Sequence, residues 1–180
     1  MCFLTGLINN QNMGGLKNLR NQEAIDKIKE IAEGIKTCMF CTSAMGVLFE
    51  TRPMATREVD EEGNIWFLSA KGSNKNEEIK QDDQVQLIYA DNSSSTYMVV
   101  YGHADVFYDR QKVEELWNPL IKTWFHEGKD DPNISIIRVR PDDAYYWDTK
   151  NGKMVSFLKI VAGAITGKTA DDGVEGRLDV

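Results

Sequence analysis

Arg52-Pro53-Met54-Ala55-Thr56, then Glu61-Glu62-Gly63-Asn64, Ile65-Trp66-Phe67-Leu68-Ser69 and Lys71-Gly72-Ser73-Asn74-Lys75 form the stretch on which the reading of this chain turns. The Glu62-Gly63-Asn64 turn feeds a short apolar strand that ends on Ser69. Ser73 stands at the mouth of a short helix reaching Gln81, with Ile79 as its core contact. A helix start offers unpaired N–H groups and the positive end of a dipole. An Arg, a strand-end Ser, a helix-start Ser and a Lys can therefore converge there on one anion. Pro53 lies inside a strand pattern and predicts an edge, a bulge or an interruption.

Outward from this stretch the pattern is strand-rich. Upstream, Asn21 to Lys36 reads as a helix capped by Asn21. Its Ile25, Ile28, Ala32 and Ile35, with Ile31 beside them, form one apolar face. Strands are expected at Thr37–Thr42 and Val47–Val59. Downstream come Val85–Ala90 and Thr96–Phe107, with Gly102 marking a bulge or bend. Asp109 is a plausible cap for a helix over Arg110–Phe125. Its apolar positions are Val113, Leu116, Trp117, Leu120, Ile121 and Trp124, and Pro119 predicts a kink or break among them. Gly128–Asn133 reads as a loop, and Ser135–Arg140 and Asp143–Trp147 as two strands around Pro141. Met154–Ala164 is a strand or a final helix. Six or seven strands with outlying helices suggest a small α+β barrel.

The 180 residues are 42% apolar and 27% charged, as expected of one ordinary globular domain. A net charge of −7 argues against broad nucleic-acid binding but allows a local basic pocket. No apolar run approaches the length of a membrane span. The first residues have no basic n-region, so residues 1–20 read as a weakly ordered leader. Cys2, Cys38 and Cys41 are an odd count, which fits a reduced, cytoplasmic protein. Cys38-Met39-Phe40-Cys41 has C-x-x-C spacing, but no second pair completes a zinc site. On a strand, residues three apart point to opposite faces, which favours a core reading.

Ala162-Gly163-Ala164-Ile165-Thr166-Gly167-Lys168-Thr169 imitates a phosphate-binding loop but lacks the first glycine, and too little chain follows for a nucleotide-binding sheet. A helix end stopped by Gly167 is the plainer reading. His103 and His126, the only histidines, sit in no triad pattern. Carboxylate pairs such as Asp82/Asp83 and Asp142/Asp143 fall in turns, where solvated charge explains them. Trp117 reads as core. Trp124, Tyr146 and Trp147 lie beside loops, where a flat ligand can stack.

Taken in order, several short segments are similar to the general stress protein branch of the pyridoxamine 5′-phosphate oxidase-like flavoproteins, the FMN-binding split barrels. The resemblance spans roughly Asn21 to Trp147. It rests on Arg52-Pro53-Met54, Gly63-Asn64-Ile65-Trp66-Phe67, Ser73-Asn74-Lys75, Val85-Gln86-Leu87-Ile88-Tyr89-Ala90 and Tyr101-Gly102-His103-Ala104. Glu115-Leu116-Trp117, Trp124-Phe125, Asp130-Asp131-Pro132 and Tyr146-Trp147 complete it.

The resemblance implies a six-stranded antiparallel Greek-key split β-barrel with peripheral helices over residues 21–165, and a tail over 166–180. It also implies a homodimer holding FMN at the subunit interface. Arg52 and Lys75 would neutralise the FMN phosphate, with Ser73 and Asn74 at the same helix start. Pro53, Met54, Ala55 and Thr56 would line the flavin ring, and Leu68 and Ser69 would contact the ribityl chain and phosphate. Tyr97 falls where the oxidases set a polar side chain against the flavin. Trp124, Tyr146 and Trp147 would form the far wall, in cis or from the partner. No catalytic residue and no metal ligand is implied.

Three departures from the family pattern bear on activity. The chain ends Arg177-Leu178-Asp179-Val180 without the proline of the oxidases' substrate-binding tail. Asn74 stands where the oxidases usually have an Arg, and His126 replaces a proline common in the stress-protein branch. The expectation is an FMN-binding oxidoreductase of low specificity. The alternatives are a pyridoxamine 5′-phosphate oxidase, or a non-enzymatic module holding haem or a deazaflavin.

Overall fold

The computed structural model describes residues 15–44, 48–149 and 173–179. Its strands are β1 (Gly15–Leu16), β2 (Leu19–Arg20), β3 (Thr37–Ala44), β4 (Leu48–Ala55), β5 (Glu58–Val59), β6 (Ile65–Ala70), β7 (Gln84–Asp91), β8 (Thr96–Phe107), β9 (Ile134–Thr149) and β10 (Gly173–Asp179). Three α-helices accompany them: α1 (Gln22–Ile35), α2 (Asn74–Gln81) and α3 (Arg110–Leu116). Short 3₁₀ turns occupy Pro119–Thr123 and Gly128–Asp130.

The fold is α+β around one mostly antiparallel sheet. The longer strands run β6-β9-β8-β7-β3-β4, every neighbouring pair antiparallel. β4 and β6, at the two ends of this run, come into contact but share no ladder. The hydrogen-bonded sheet of the described residues is thus open and has ten strands rather than six. It curls nonetheless. Phe40 on β3 meets Phe67 on β6 edge to face, with centroids 5.3 Å apart, although their strands are not paired. Pro53 sits on β4, which pairs only with β3, so the proline is on an edge strand as expected.

Period-two alternation fills the inside of the curl. Phe40, Phe67, Leu87, Tyr89, Met98, Val100, Ile137 and Val139 are fully buried there. Each such large side chain contributes about 1.5–3 kcal/mol relative to exposure. α1 closes one side of this core through Ala24, Ile28, Ile31 and Ala32. A second cluster lies outside β6 and the first half of β9, where Val113, Leu116, Ile121 and Phe125 cover Trp66, Leu68, Ile134 and Ile136.

The outer face of the sheet carries an apolar row in register. Pro53, Met39, Ile88, Val99 and Tyr145 lie side by side on five successive strands. Met39 and Ile88 are 42% and 36% exposed, and Phe49 and Tyr101 elsewhere on the same face are 68% and 50% exposed. A second row on this face holds Ala90, Tyr97 and Trp147.

Several expectations are corrected. Asn21 precedes α1 with φ 50, but its side chain makes no capping bond, and its carbonyl accepts from Ala24 and Ile25 instead. The two strands expected around Pro141 are one. β9 runs through the proline because a bulge opposite Tyr101/Gly102 takes up the irregularity. α3 stops at Leu116, and Asn118 Oδ1 caps a new 3₁₀ turn at Leu120 N–H. That restart changes the helical phase, so Ile121 stays buried while Leu120 and Trp124 turn out at 77% and 74% exposed. Within the expected leader Gly15–Leu16 and Leu19–Arg20 are strands, and within the expected tail Gly173–Asp179 is a strand. β1 and β2 pair parallel to β10, and β10 pairs antiparallel to the end of β9. Met154–Ala164 and Gly167 lie outside the described residues. Among the described residues no helix is long and apolar enough to cross a membrane.

Candidate functional site

The turn from β6 into α2 is held from inside. Asn76 is fully buried, and its Nδ2 donates to Ser135 Oγ at 2.9 Å and to the carbonyls of Ala70 and Lys71 at 3.2 and 3.4 Å. Its Oδ1 accepts from Ser69 Oγ at 2.9 Å, and Ser135 Oγ donates to Ser69 O at 3.0 Å. Ser73 occupies the cap position of α2, yet its hydroxyl makes no capping bond. It meets Ser69 Oγ at 3.1 Å. The first turn of α2 thus keeps N–H donors that the Ser73 side chain does not take. Asn74 opens the helix and is exposed.

Arg52 reaches this helix from the inner side of β4. Its Nη2 donates to Glu78 Oε2 at 2.8 Å and its Nη1 to Thr42 Oγ1, while Thr42 Oγ1 donates to Glu78 Oε2 at 2.5 Å. Lys75 lies one helical turn before Glu78 and is half-buried. Burial pushes its ammonium below the usual lysine value, the Arg52 charge pushes the same way, and Glu78 opposes both. Lys75 forms no ion pair within 4.0 Å among the described residues. Two cations and one carboxylate therefore share the corner, and its net charge is positive. An oxyanion with several acceptor oxygens complements that donor set.

The other residues singled out by sequence are placed less uniformly. Met54 on β4 and Thr56 just beyond its end are buried. Met54 is 7% exposed, and Thr56 Oγ1 bonds Tyr89 Oη at 2.7 Å. Pro53 and Ala55 face outward and are exposed. Ser69 joins the helix start, but Leu68, its neighbour on the opposite face of β6, is packed under the second cluster. Tyr97 and Trp147 are cross-strand partners on the outer face; Tyr97 Oη donates to Asn92 Oδ1 at 3.1 Å, and Trp147 stacks at a tilt against Tyr145. Tyr146 points the other way, is 2% exposed, and donates to Lys17 O at 3.1 Å. Trp124 follows the 3₁₀ turn at Pro119–Thr123 and turns into solvent. Within one chain, then, Arg52, Ser69, Ser73, Asn74 and Lys75 gather at α2, and Leu68, Tyr97, Trp124, Tyr146 and Trp147 do not join them.

Thr42, Asn76, Glu78 and Ser135 escaped the sequence reading. Glu78 carried one weak signal, its i, i+3 spacing from Lys75. The others are brought in only by strand pairing.

A concavity of about 700 Å³ lies elsewhere, between β1, α1 and the end of β9. Its lining holds Glu23, Asp26, Glu30 and Asp148 against Lys17 and Lys27, and Lys27 already bonds Asp148 at 2.6 Å. An excess of carboxylates makes it a poor host for an anion. The C-x-x-C pair lies apart from both places. Cys38 faces the core, where burial pushes its thiol up to about 12, and Cys41 lies on the opposite face of β3 beside Thr51.

Comparison with known proteins agrees with this fold. Protein bli-3 of Neurospora crassa is 30% identical over 129 residues, which is 67% of this chain and 62% of that protein. The chain thus spans less than two thirds of that relative's length. A structure described as general stress protein 26 from Jannaschia sp. CCS1 superposes with a TM-score of 0.71 at 22% identity, covering 88% of this chain and 96% of the other. The general stress FMN/FAD binding protein of Xanthomonas citri superposes with a TM-score of 0.61 at 24% identity, covering 71% and 90%. The family model described as pyridoxamine 5′-phosphate oxidase like matches residues 23–171. The chain belongs to the pyridoxamine 5′-phosphate oxidase-like family.

Proposed function

We propose that this protein binds FMN as a homodimer of split barrels and serves as a cytoplasmic oxidoreductase of low substrate specificity. The observation that carries this is the cationic corner. Arg52 is bonded to Glu78 on α2, and half-buried Lys75 lies one turn earlier on the same helix, just after Ser73, which meets Ser69. Folding tolerates such an arrangement at a cost, and an oxyanion offsets it. The FMN phosphate carries about two negative charges at neutral pH and suits the site in charge and in acceptor count. The Xanthomonas citri relative, described as FMN/FAD binding, supports the same cofactor.

Bound flavin supplies hydride and electron transfer, which no side chain here performs alone. In this reading Arg52, Lys75 and the first N–H groups of α2 fix the phosphate, Ser73 donates beside it, and Ser69, whose proton is spent on Asn76, holds the turn behind them. The exposed backbone of the edge strand β4 at Pro53–Ala55 flanks the ring.

The outer face supports the partner subunit of this reading. Pro53, Met39, Ile88, Val99 and Tyr145 form a broad apolar row, and contiguous apolar area of that kind marks an interaction surface. A second copy covers it most economically because a two-fold axis matches the patch to itself. Tyr97 and Trp147, on the same face, then approach the flavin of the neighbouring subunit.

Titration of the purified chain with FMN, followed by flavin fluorescence and absorbance, tests the reading. Micromolar or tighter binding is expected, and Arg52→Ala or Lys75→Ala each weakens it by about 1–3 kcal/mol. No bound flavin, or unchanged affinity in both variants, removes the proposal.

A further inference from the structure

We propose that Glu78 is a positioning residue that holds the Arg52 guanidinium ready for a flavin phosphate, a role that rests on the FMN reading above. Arg52 projects from β4, an edge strand, on a long side chain with many rotamers. Its ion pair with Glu78 ties β4 to α2. Thr42, fully buried, closes the arrangement into a triangle. It accepts from Arg52 Nη1 and donates to the same Glu78 oxygen that receives Arg52 Nη2.

Glu78 is itself firmly placed. Ile79 beside it is buried, and Asn76 pins the start of the helix to β6 and β9. The guanidinium fork therefore has a fixed plane, and the donors it does not spend on Thr42 and Glu78 remain for a ligand. A group held in place before binding loses less freedom on binding.

Charge works in the opposite direction, which makes the idea sharp. A carboxylate beside a phosphate repels it, so removal of the Glu78 charge alone favours FMN. Removal of the acceptor as well frees Arg52 and disfavours FMN. Glu78→Gln keeps an acceptor oxygen and drops the charge, and Glu78→Ala drops both. Riboflavin, which lacks the phosphate, reports on damage to the rest of the site.

The experiment is titration of the full chain and the two variants with FMN and with riboflavin. Glu78→Gln is expected to bind FMN at least as tightly as the native chain, and Glu78→Ala about tenfold more weakly, with riboflavin affinity the same in all three. Equal FMN affinity in the two variants, or parallel loss of FMN and riboflavin in Glu78→Ala, overturns the inference. A native chain that binds no FMN defeats the cofactor reading instead. The positioning role is then decided on the flavin-free chain by the ¹⁵N spectrum of the Arg52 guanidinium. Hindered rotation in the native chain and in Glu78→Gln, with free rotation in Glu78→Ala, sustains it. Free rotation in the native chain overturns it.

Discussion

Lys75 is the side chain through which pH acts most directly on the corner at α2. Burial and the neighbouring Arg52 hold its proton less tightly than in an isolated lysine, with Glu78 opposing. A bound phosphate favours the charged form, so ligand binding and protonation are linked. FMN affinity is expected to fall as pH rises through the lowered Lys75 value, and this fall should vanish in Lys75→Ala. Titration between about pH 7 and pH 10 checks it, the upper limit being the ordinary lysine range. His103 shows the opposite behaviour. Its Nδ1 bonds Asp83 at 2.9 Å and its Nε2 lies 3.3 Å from Asp142, and the Asp83 hydrogen bond raises its pKa. A raised value means that the stabilisation is complete below the unfolded value of about 6.5 and is lost as pH rises through the folded one. Melting curves of native chain and His103→Gln should differ at about pH 5.5 and coincide at about pH 8.5. The residues of the corner were legible because Arg52, Ser69, Ser73 and Lys75 sit in short adjacent motifs. Glu78 and Thr42 were not, since their contact spans 36 residues and exists only once the sheet has curled.

At the scale of elements, Gly102 marks where two backbones approach too closely for any side chain. A Cβ built on Gly102 collides with the Arg140 carbonyl at the β8–β9 bulge. Gly102→Ala should destabilise the fold by about 1–3 kcal/mol, measurable by urea denaturation. The helix over Arg110–Leu116 depends on its cap, since Asp109 Oδ1 accepts from Gln111 and Lys112 N–H at 2.9 and 3.2 Å. Asp109→Ala should cost about 1 kcal/mol in the same measurement. The sequence made this cap, the Gly63 turn and the Gly102 bulge readable because each is a local device. The direction of Leu120 and Trp124 was not readable. Pro119 announced a break, but the phase at which the chain restarts depends on Asn118 and on packing against Ile121 and Phe125. Pro141 misled for a related reason: a proline ends a strand only if its position needs a ladder N–H, and the bulge here removes that need.

For the whole molecule the open question is what covers the outer face. Periodicity alone did not reveal that face, because Met39, Pro53, Ile88, Val99 and Tyr145 are scattered over the chain and become neighbours only through strand register. If a second copy covers it, a charge at the centre of the row splits the assembly. Ile88→Asp should shift the chain from dimer to monomer in light scattering and weaken FMN binding with it, while leaving the circular dichroism of the monomer unchanged. A native chain that scatters as a monomer at micromolar concentration contradicts the shared-groove arrangement. The general class of fold was readable from the count and spacing of strands. The open seam and the ten-strand sheet were not, because edge pairing by dipeptide strands such as β1 and β2 leaves almost no compositional trace.

Those two small strands carry a consequence for synthesis. Lys17 N–H donates to Glu175 O, Asn21 N–H to Asp179 O, and Arg177 N–H to Asn18 Oδ1 across 159 residues. A nascent polypeptide emerging from the ribosome has no residues 173–179 to receive its early segment, so Gly15 to Arg20 must wait unpaired until translation has passed Asp179. Long-range pairing of this kind is slow to form. A stalled or truncated translation product would therefore expose both an orphan amino-terminal ribbon and the bare edge of β9, the arrangement most inviting to aggregation and to quality-control proteases.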